Sequence, residues 1–126
     1  MPHLTVDYAA PLAGSLDPRA FGLELHAVVE ATTGATTAAC KTRFRQIEHS
    51  VIADAAGAAE HTDMVHIEIR LLAGRTAEVK ARLADAVLEL TTRSLTPDTG
   101  RILDVSVHVA DLDRETYRAA RTGERS

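Results

Sequence analysis

Pro2, the alternating cations Lys41, Arg43 and Arg45, and Arg75 directly after Gly74 are the residues of this chain whose types suit proton transfer on an anionic molecule. An initiator Met ahead of a small residue is normally removed, and its loss makes Pro2 the N-terminus. The amine is then secondary: one proton acceptor, fixed in a ring, at the start of a strand. An ordinary α-amino group titrates at about 7.7–8.0, and proline's is intrinsically more basic. Desolvation and nearby cations both disfavour the protonated form and lower that pKa. Such a base is free at neutral pH without a catalytic His, Glu or Lys. The plain structural alternative is a proline tolerated ahead of an edge strand.

Lys41, Arg43 and Arg45 occupy one face of an extended segment, with Thr42, Phe44 and Gln46 on the other. Three cations in a row repel one another. They either solvate an edge strand and block its aggregation, or dock carboxylates, for which Arg offers a planar two-pronged fork. Arg75 precedes a helix start, where a cation opposes the helix dipole. Stability alone does not favour it there, which points to a functional use.

The elements that must position these groups follow from patterning. Residues 2–8 start a strand, and residues 9–16, with Pro11 and Gly14, read as a loop. Asp17-Pro18 opens a helix, with Asp17 as cap and proline at the first helical position. Phe21, Leu25, Val28 and Thr32 form its buried face, and Gly34 marks its end. Residues 35–40 read as a loop, 41–52 as an untidy strand, and 53–61 as a turn. Residues 63–72 are the clearest strand, alternating Val65, Ile67, Ile69 and Leu71 with Met64, His66, Glu68 and Arg70. Thr76 caps a second helix whose buried face is Val79, Leu83, Ala86, Val87 and Leu90. A turn over 97–100 leads to a last strand at 101–109. The expected fold is α+β: tandem β-α-β units over about 2–52 and 63–109, giving a four-stranded mixed sheet with both helices on one face. Residues 1–112 form one domain and 113–126 a charged tail, with a short helical turn and then disorder. Its Tyr117 is a candidate anchor on a neighbouring subunit. The bare sheet face reads as near-neutral enough to call for a partner, hence oligomerisation.

Composition bounds the class. The 126 residues are 45% hydrophobic and 25% charged, with a formal net charge of −4. That describes a soluble globular chain and argues against nucleic acid or an anionic membrane as partner. Aromatics are scarce, so the core is aliphatic. Cys40 stands alone, without a disulfide framework or a cysteine zinc motif. No signal peptide precedes the first strand and no apolar run reaches membrane-span length, so the cytoplasm is the expected compartment.

Met1-Pro2-His3, Lys41-Thr42-Arg43, Val65-His66 and Ala73-Gly74-Arg75-Thr76, in that order on those elements, resemble the tautomerase superfamily, and within it the 5-carboxymethyl-2-hydroxymuconate isomerase family. The resemblance runs from Pro2 to about Val109. It implies an isomerase with no cofactor and no metal: Pro2 takes a proton from the hydroxyl of a muconate-like dienol and returns one to carbon. Arginines bind the substrate carboxylates and stabilise the dienolate. It also implies a homotrimer with sites near subunit boundaries and a place in aromatic catabolism.

The internal repeat sharpens the residue choice. Single-repeat relatives place an N-terminal proline, a Gly-Arg turn and a strand arginine in one unit. Here the first half keeps Pro2 and Arg43 but has Leu12 near the turn-arginine position. The second half keeps Gly74-Arg75 but has Val65 at the proline position and Asp104 near the strand arginine. One composite site per chain follows, with Pro2 as base and Arg43 and Arg75 on substrate. Lys41, Arg45 and His3 are further substrate-binding candidates. The family tends to carry arginine where this chain has Lys41, and an aromatic where it has Gln46-Ile47-Glu48-His49; both departures bear on the substrate more than on the chemistry.

Other readings compete. His66, Glu68 and His108 permit at most a two-point metal site, and Cys40 has no evident base partner. Two functional alternatives stand beside the muconate reading: a tautomerase of arylpyruvate-like enols, needing one carboxylate contact, and a non-catalytic trimeric module binding an anionic ligand.

Overall fold

Both helices begin where a side chain replaces missing backbone partners. In the computed structural model, which describes residues 1–54 and 60–123, Asp17 accepts the Ala20 N–H at the head of α1 (Pro18–Thr33). Thr76 accepts the Val79 N–H at the head of α2 (Ala77–Ser94). Each cap contributes about 1 kcal/mol. Gly34 closes α1 at φ 79°, the left-handed conformation that glycine reaches without a Cβ penalty.

Four strands make one sheet: β1 (His3–Ala9), β2 (Lys41–Ile47), β3 (Thr62–Leu72) and β4 (Ile102–Leu112). Their order is β2-β1-β3-β4, with β1 parallel to β2, β3 parallel to β4, and the two central strands antiparallel. Each helix is thus the crossover of one parallel pair, as the tandem β-α-β reading requires. Leu4 and Val6 of β1 and Val65, Ile67, Ile69 and Leu71 of β3 point to the helices. They pack on Phe21, Leu25 and Val29 of α1 and Leu83, Val87 and Leu90 of α2. The architecture is the expected four-stranded mixed sheet with two helices.

Several boundaries differ from expectation. The second strand stops at Ile47 rather than 52, because its partner β1 runs out at Ala9, the residue opposite Ile47. The last strand extends past 109 to Leu112 because β3 continues opposite it to Leu72. The loops at 9–16 and 35–40 contain 3-10 turns at Ala10–Gly14 and Thr37–Ala39. On α1 the deeply buried position is Val29, with Val28 only partly buried. The expected turn at 53–61 falls largely on residues 55–59, which lie outside the described residues, as do the last three of the tail.

The sheet face away from the helices is strongly polar, contrary to the near-neutral reading. Arg45 and Asp7, directly opposite each other on β2 and β1, form a bidentate pair at 2.6 and 3.0 Å. Glu68 holds His108 at 2.6 Å and His66 at 3.2 Å, and His66 meets the Ser106 hydroxyl at 2.6 Å. Burial opposes the Glu68 charge, but the hydrogen bonds from His108 and His66 prevail and hold its carboxyl below the usual range.

Candidate active site

The starts of β1 and β2 and the turn after β3 meet at one end of the sheet. β1 is antiparallel to β3, so the chain's first residues lie beside the Ala73-Gly74-Arg75 turn that leaves β3. Pro2 is buried, and its carbonyl accepts the Lys41 backbone N–H at 3.0 Å. His3 pairs with Lys41 across the parallel ladder. Pro2, Lys41 and Arg75, from three separate segments, therefore converge.

Electrostatics at this point favour a neutral amine. The Met1 amine, one residue outward of Pro2's nitrogen, has a lowered pKa. Burial is the main cause, followed by the cations Arg75, Lys41 and Arg114. Arg75 reaches the Leu72 carbonyl with Nη1 at 3.5 Å, a weak bond, while its Nε is buried with no hydrogen-bond partner among the described residues. A buried guanidinium N–H with nothing to donate to is costly. A carboxylate oxygen placed there would satisfy it.

Arg43 and Arg45 stand farther along β2, opposite Thr5 and Asp7. Arg43 Nη1 lies 3.4 Å from His3 Nδ1. Arg45 is engaged by Asp7, so the row of cations divides: Arg45 is charge-balanced, and among the described residues Lys41 and Arg43 have no carboxylate partner. The His3 pKa is lowered by burial first, then by Arg43, Lys41 and the chain amine. Its Nε2 is 2.8 Å from the Tyr117 hydroxyl, with the rings edge to face. Tyr117 thus anchors on the start of its own chain.

The tail brings groups that local patterning missed. After β4, Asp113 accepts the Glu115 N–H with its side chain and the Tyr117 N–H with its backbone carbonyl, turning the chain back. Arg114 donates to the Ala73 carbonyl and lies over Gly74, whose φ of 133° disfavours a side chain. The cluster of arginines in the tail was visible in the sequence, but its destination depends on contacts more than forty residues apart.

The repeat's other site positions are closed. Leu12 and Val65 are both 1% exposed and sit in the core. Val65 is mid-strand, where its nitrogen is a peptide group rather than an amine. Near that opposite end of the sheet, Asp63 is buried and accepts three bonds from Arg101 at 2.7–3.0 Å. Burial pushes the Cys40 thiol up, with Glu30 adding to the shift, so thiolate chemistry is disfavoured. Among the described residues no group of three or more His, Cys, Asp or Glu side chains is placed to hold a metal, and no helix is long and apolar enough to cross a membrane.

A strand-terminal amine under cations, on paired β-α-β units, defines a tautomerase-type fold. The family model for 5-carboxymethyl-2-hydroxymuconate isomerase matches residues 2–123. A 5-carboxymethyl-2-hydroxymuconate isomerase from Deinococcus radiodurans R1 superposes with a TM-score of 0.78 at 21% identity, over 96% of this chain and 90% of that one. A 5-carboxymethyl-2-hydroxymuconate delta-isomerase structure gives 0.77 at 20% identity, covering 99% and 96%. A fused 4-OT symmetric trimer gives 0.72 at 25% identity, covering 94% and 93%. No curated protein matches the sequence. The chain belongs to the 5-carboxymethyl-2-hydroxymuconate isomerase family and is an isomerase of the tautomerase type.

Proposed function

We propose that this chain, after loss of Met1, uses the Pro2 amine to ketonise a 2-hydroxymuconate-type dicarboxylate in aromatic catabolism, as a homotrimer without a cofactor. The observation that carries the reading is the buried Nε of Arg75, without a hydrogen-bond partner among the described residues, near the Met1 amine whose pKa burial and the surrounding cations lower. Pro2 nitrogen takes the proton of the dienol hydroxyl. The O–H electron pair becomes the carbonyl, the double bonds shift, and the prolinium returns a proton to carbon. Arg75 and Lys41 bind carboxylate, and Arg75 also offsets charge on the dienolate oxygen. Arg43 contributes charge and holds His3, while Arg45, bound to Asp7, balances charge outside the immediate site. The neighbouring 4-OT structure is a symmetric trimer, which supports the same assembly here, covering the polar sheet face.

The test is ultraviolet assay of 2-hydroxymuconate ketonisation. Wild-type protein should turn over, and Pro2→Ala should lower kcat by about 10²-fold or more. Arg75→Ala should damage a dicarboxylate more than an arylpyruvate enol. A Pro2→Ala variant as fast as wild type would overturn the proline mechanism. Equal losses on both substrates would favour the arylpyruvate-type reading.

A further inference from the structure

Arg75 does little to fix its own position. Its Nη1 reaches the Leu72 carbonyl only at 3.5 Å, and its Nε is buried without a hydrogen-bond partner among the described residues. Its place is set instead by the backbone turn it stands on, and Ala73 in that turn is held at both backbone groups by the chain that follows β4. The Ala73 N–H donates to the Leu112 carbonyl at 2.9 Å, and the Ala73 carbonyl accepts from the Arg114 guanidinium. The first bond continues the parallel ladder, which ends with Leu72 opposite Leu112. The second is a side-chain bond across 41 positions of sequence. Asp113, the acid beside Arg114, is turned to the Glu115 N–H. Tyr117, three residues on, fastens the same segment to His3 at 2.8 Å, next to Pro2.

We propose that Arg114 is a positioning residue for the reaction: by holding the Ala73 carbonyl it fixes the peptide plane from which Gly74 and Arg75 depart, and so keeps the uncommitted Arg75 Nε in place. What Arg75 then binds rests on the isomerase reading, whereas the hold on the turn does not. Gly74, at φ 133°, is the least restrained link between Ala73 and Arg75. A rotation there is carried out along the whole Arg75 side chain. Misplacing a group that positions substrate by about 1 Å costs up to about 100-fold in rate. A charge-assisted bond to the carbonyl at the head of the turn opposes that rotation. The Leu112 bond holds the other side of Ala73, so loss of Arg114 loosens the turn without releasing it. Arg114 is also one of the cations that lower the pKa of the Met1 amine, so its bond and its charge have to be told apart.

The experiment is a double-mutant cycle on the full-length chain: wild type, Arg114→Ala, Arg75→Ala and the double variant, assayed for kcat/KM on 2-hydroxymuconate. Nitrogen NMR of the Arg75 Nε–H is recorded on wild type and Arg114→Ala. Arg114→Ala alone should lower kcat/KM about fivefold. In the Arg75→Ala background the same substitution should cost nothing further, because the group it positions is gone. A purely electrostatic effect on the amine would persist in that background, and an undiminished loss there would overturn the proposal. The Arg75 Nε–H resonance should shift or broaden in Arg114→Ala while amides of β1 and β3 stay where they are. An Arg75 resonance unchanged by Arg114→Ala would also overturn it. A shifted resonance in a protein without isomerase activity would uphold the hold on the turn and sink the isomerase reading instead.

Discussion

His3 Nε2 and the Tyr117 hydroxyl, 114 positions apart in the chain, meet at 2.8 Å. This contact ties the end of the chain to the start of β1, beside the proposed base. Tyr117→Phe removes the bond but keeps the edge-to-face ring packing, so global stability should fall by only about 0.5–1.5 kcal/mol. Hydrogen exchange should show the effect locally: faster exchange of amides in 114–121 with unchanged protection in β1 and β3. Uniform loss of protection would mean that the tail supports the whole fold.

Gly74 allows the tail to close over the turn. Gly74→Ala puts a Cβ at φ 133°, facing the Arg114 guanidinium. The strain should cost about 1–3 kcal/mol, read as a lower thermal midpoint. The new Cβ would lie at ordinary contact distance, 3.5 Å, from that guanidinium, so amide exchange in the tail should stay unchanged here and quicken only in Arg114→Ala, which removes the bond to Ala73.

Asp63 and Arg101 test how far burial separates one ion pair from another. The Asp63 side chain is 1% exposed, whereas that of Arg45 is 64% exposed in its pair with Asp7. Removing the Asp63 carboxylate should cost about 3 kcal/mol, since three charge-assisted bonds are lost inside the fold. Asp7→Ala should shift the thermal midpoint far less, because water screens the exposed pair. Comparable losses in chemical denaturation would contradict that ranking.

Much of this arrangement was legible in the sequence because its signals are local. Asp17, Thr76 and Gly34 mark helix ends through their own side chains or backbone freedom, and the alternation in β3 reveals its buried face. Pro2, Arg43 and Arg75 were legible as a set through the order of motifs along the repeat, with Lys41 as a further candidate; that Lys41 rather than Arg43 acts on the chain amine was not. What was hidden depends on partners distant in sequence. The end of β2 is decided by where β1 stops, and the polarity of the open face by cross-strand pairs such as Arg45 with Asp7. The contact of Arg114 with the Ala73 carbonyl was invisible because a charged tail carries no periodicity to show where it docks. Tyr117 was noticed as a candidate anchor, while its contact with His3, 114 positions away, carries no local signal.

Acidification should act through two groups with lowered pKa values. Below the ordinary His range the unfolded chain binds a proton at His3 that the folded chain resists. The unfolded state thus holds more protons, and stability falls as pH drops through that window. The chain amine behaves alike at higher pH, so its lowered pKa adds stability as pH rises toward 8. His3→Gln should remove the first dependence in denaturation at pH 5 and 7 while leaving the second.

The central claim is that the chain's own amine is the base. It is tested most directly by intact mass of the natively expressed protein followed by nitrogen NMR titration of the N-terminal residue. The account predicts a mass lacking Met1 and a Pro2 amine that titrates well below a free proline, with the acid limb of the isomerase pH profile following the same midpoint. A retained Met1, or a Pro2 amine of ordinary basicity, would contradict it.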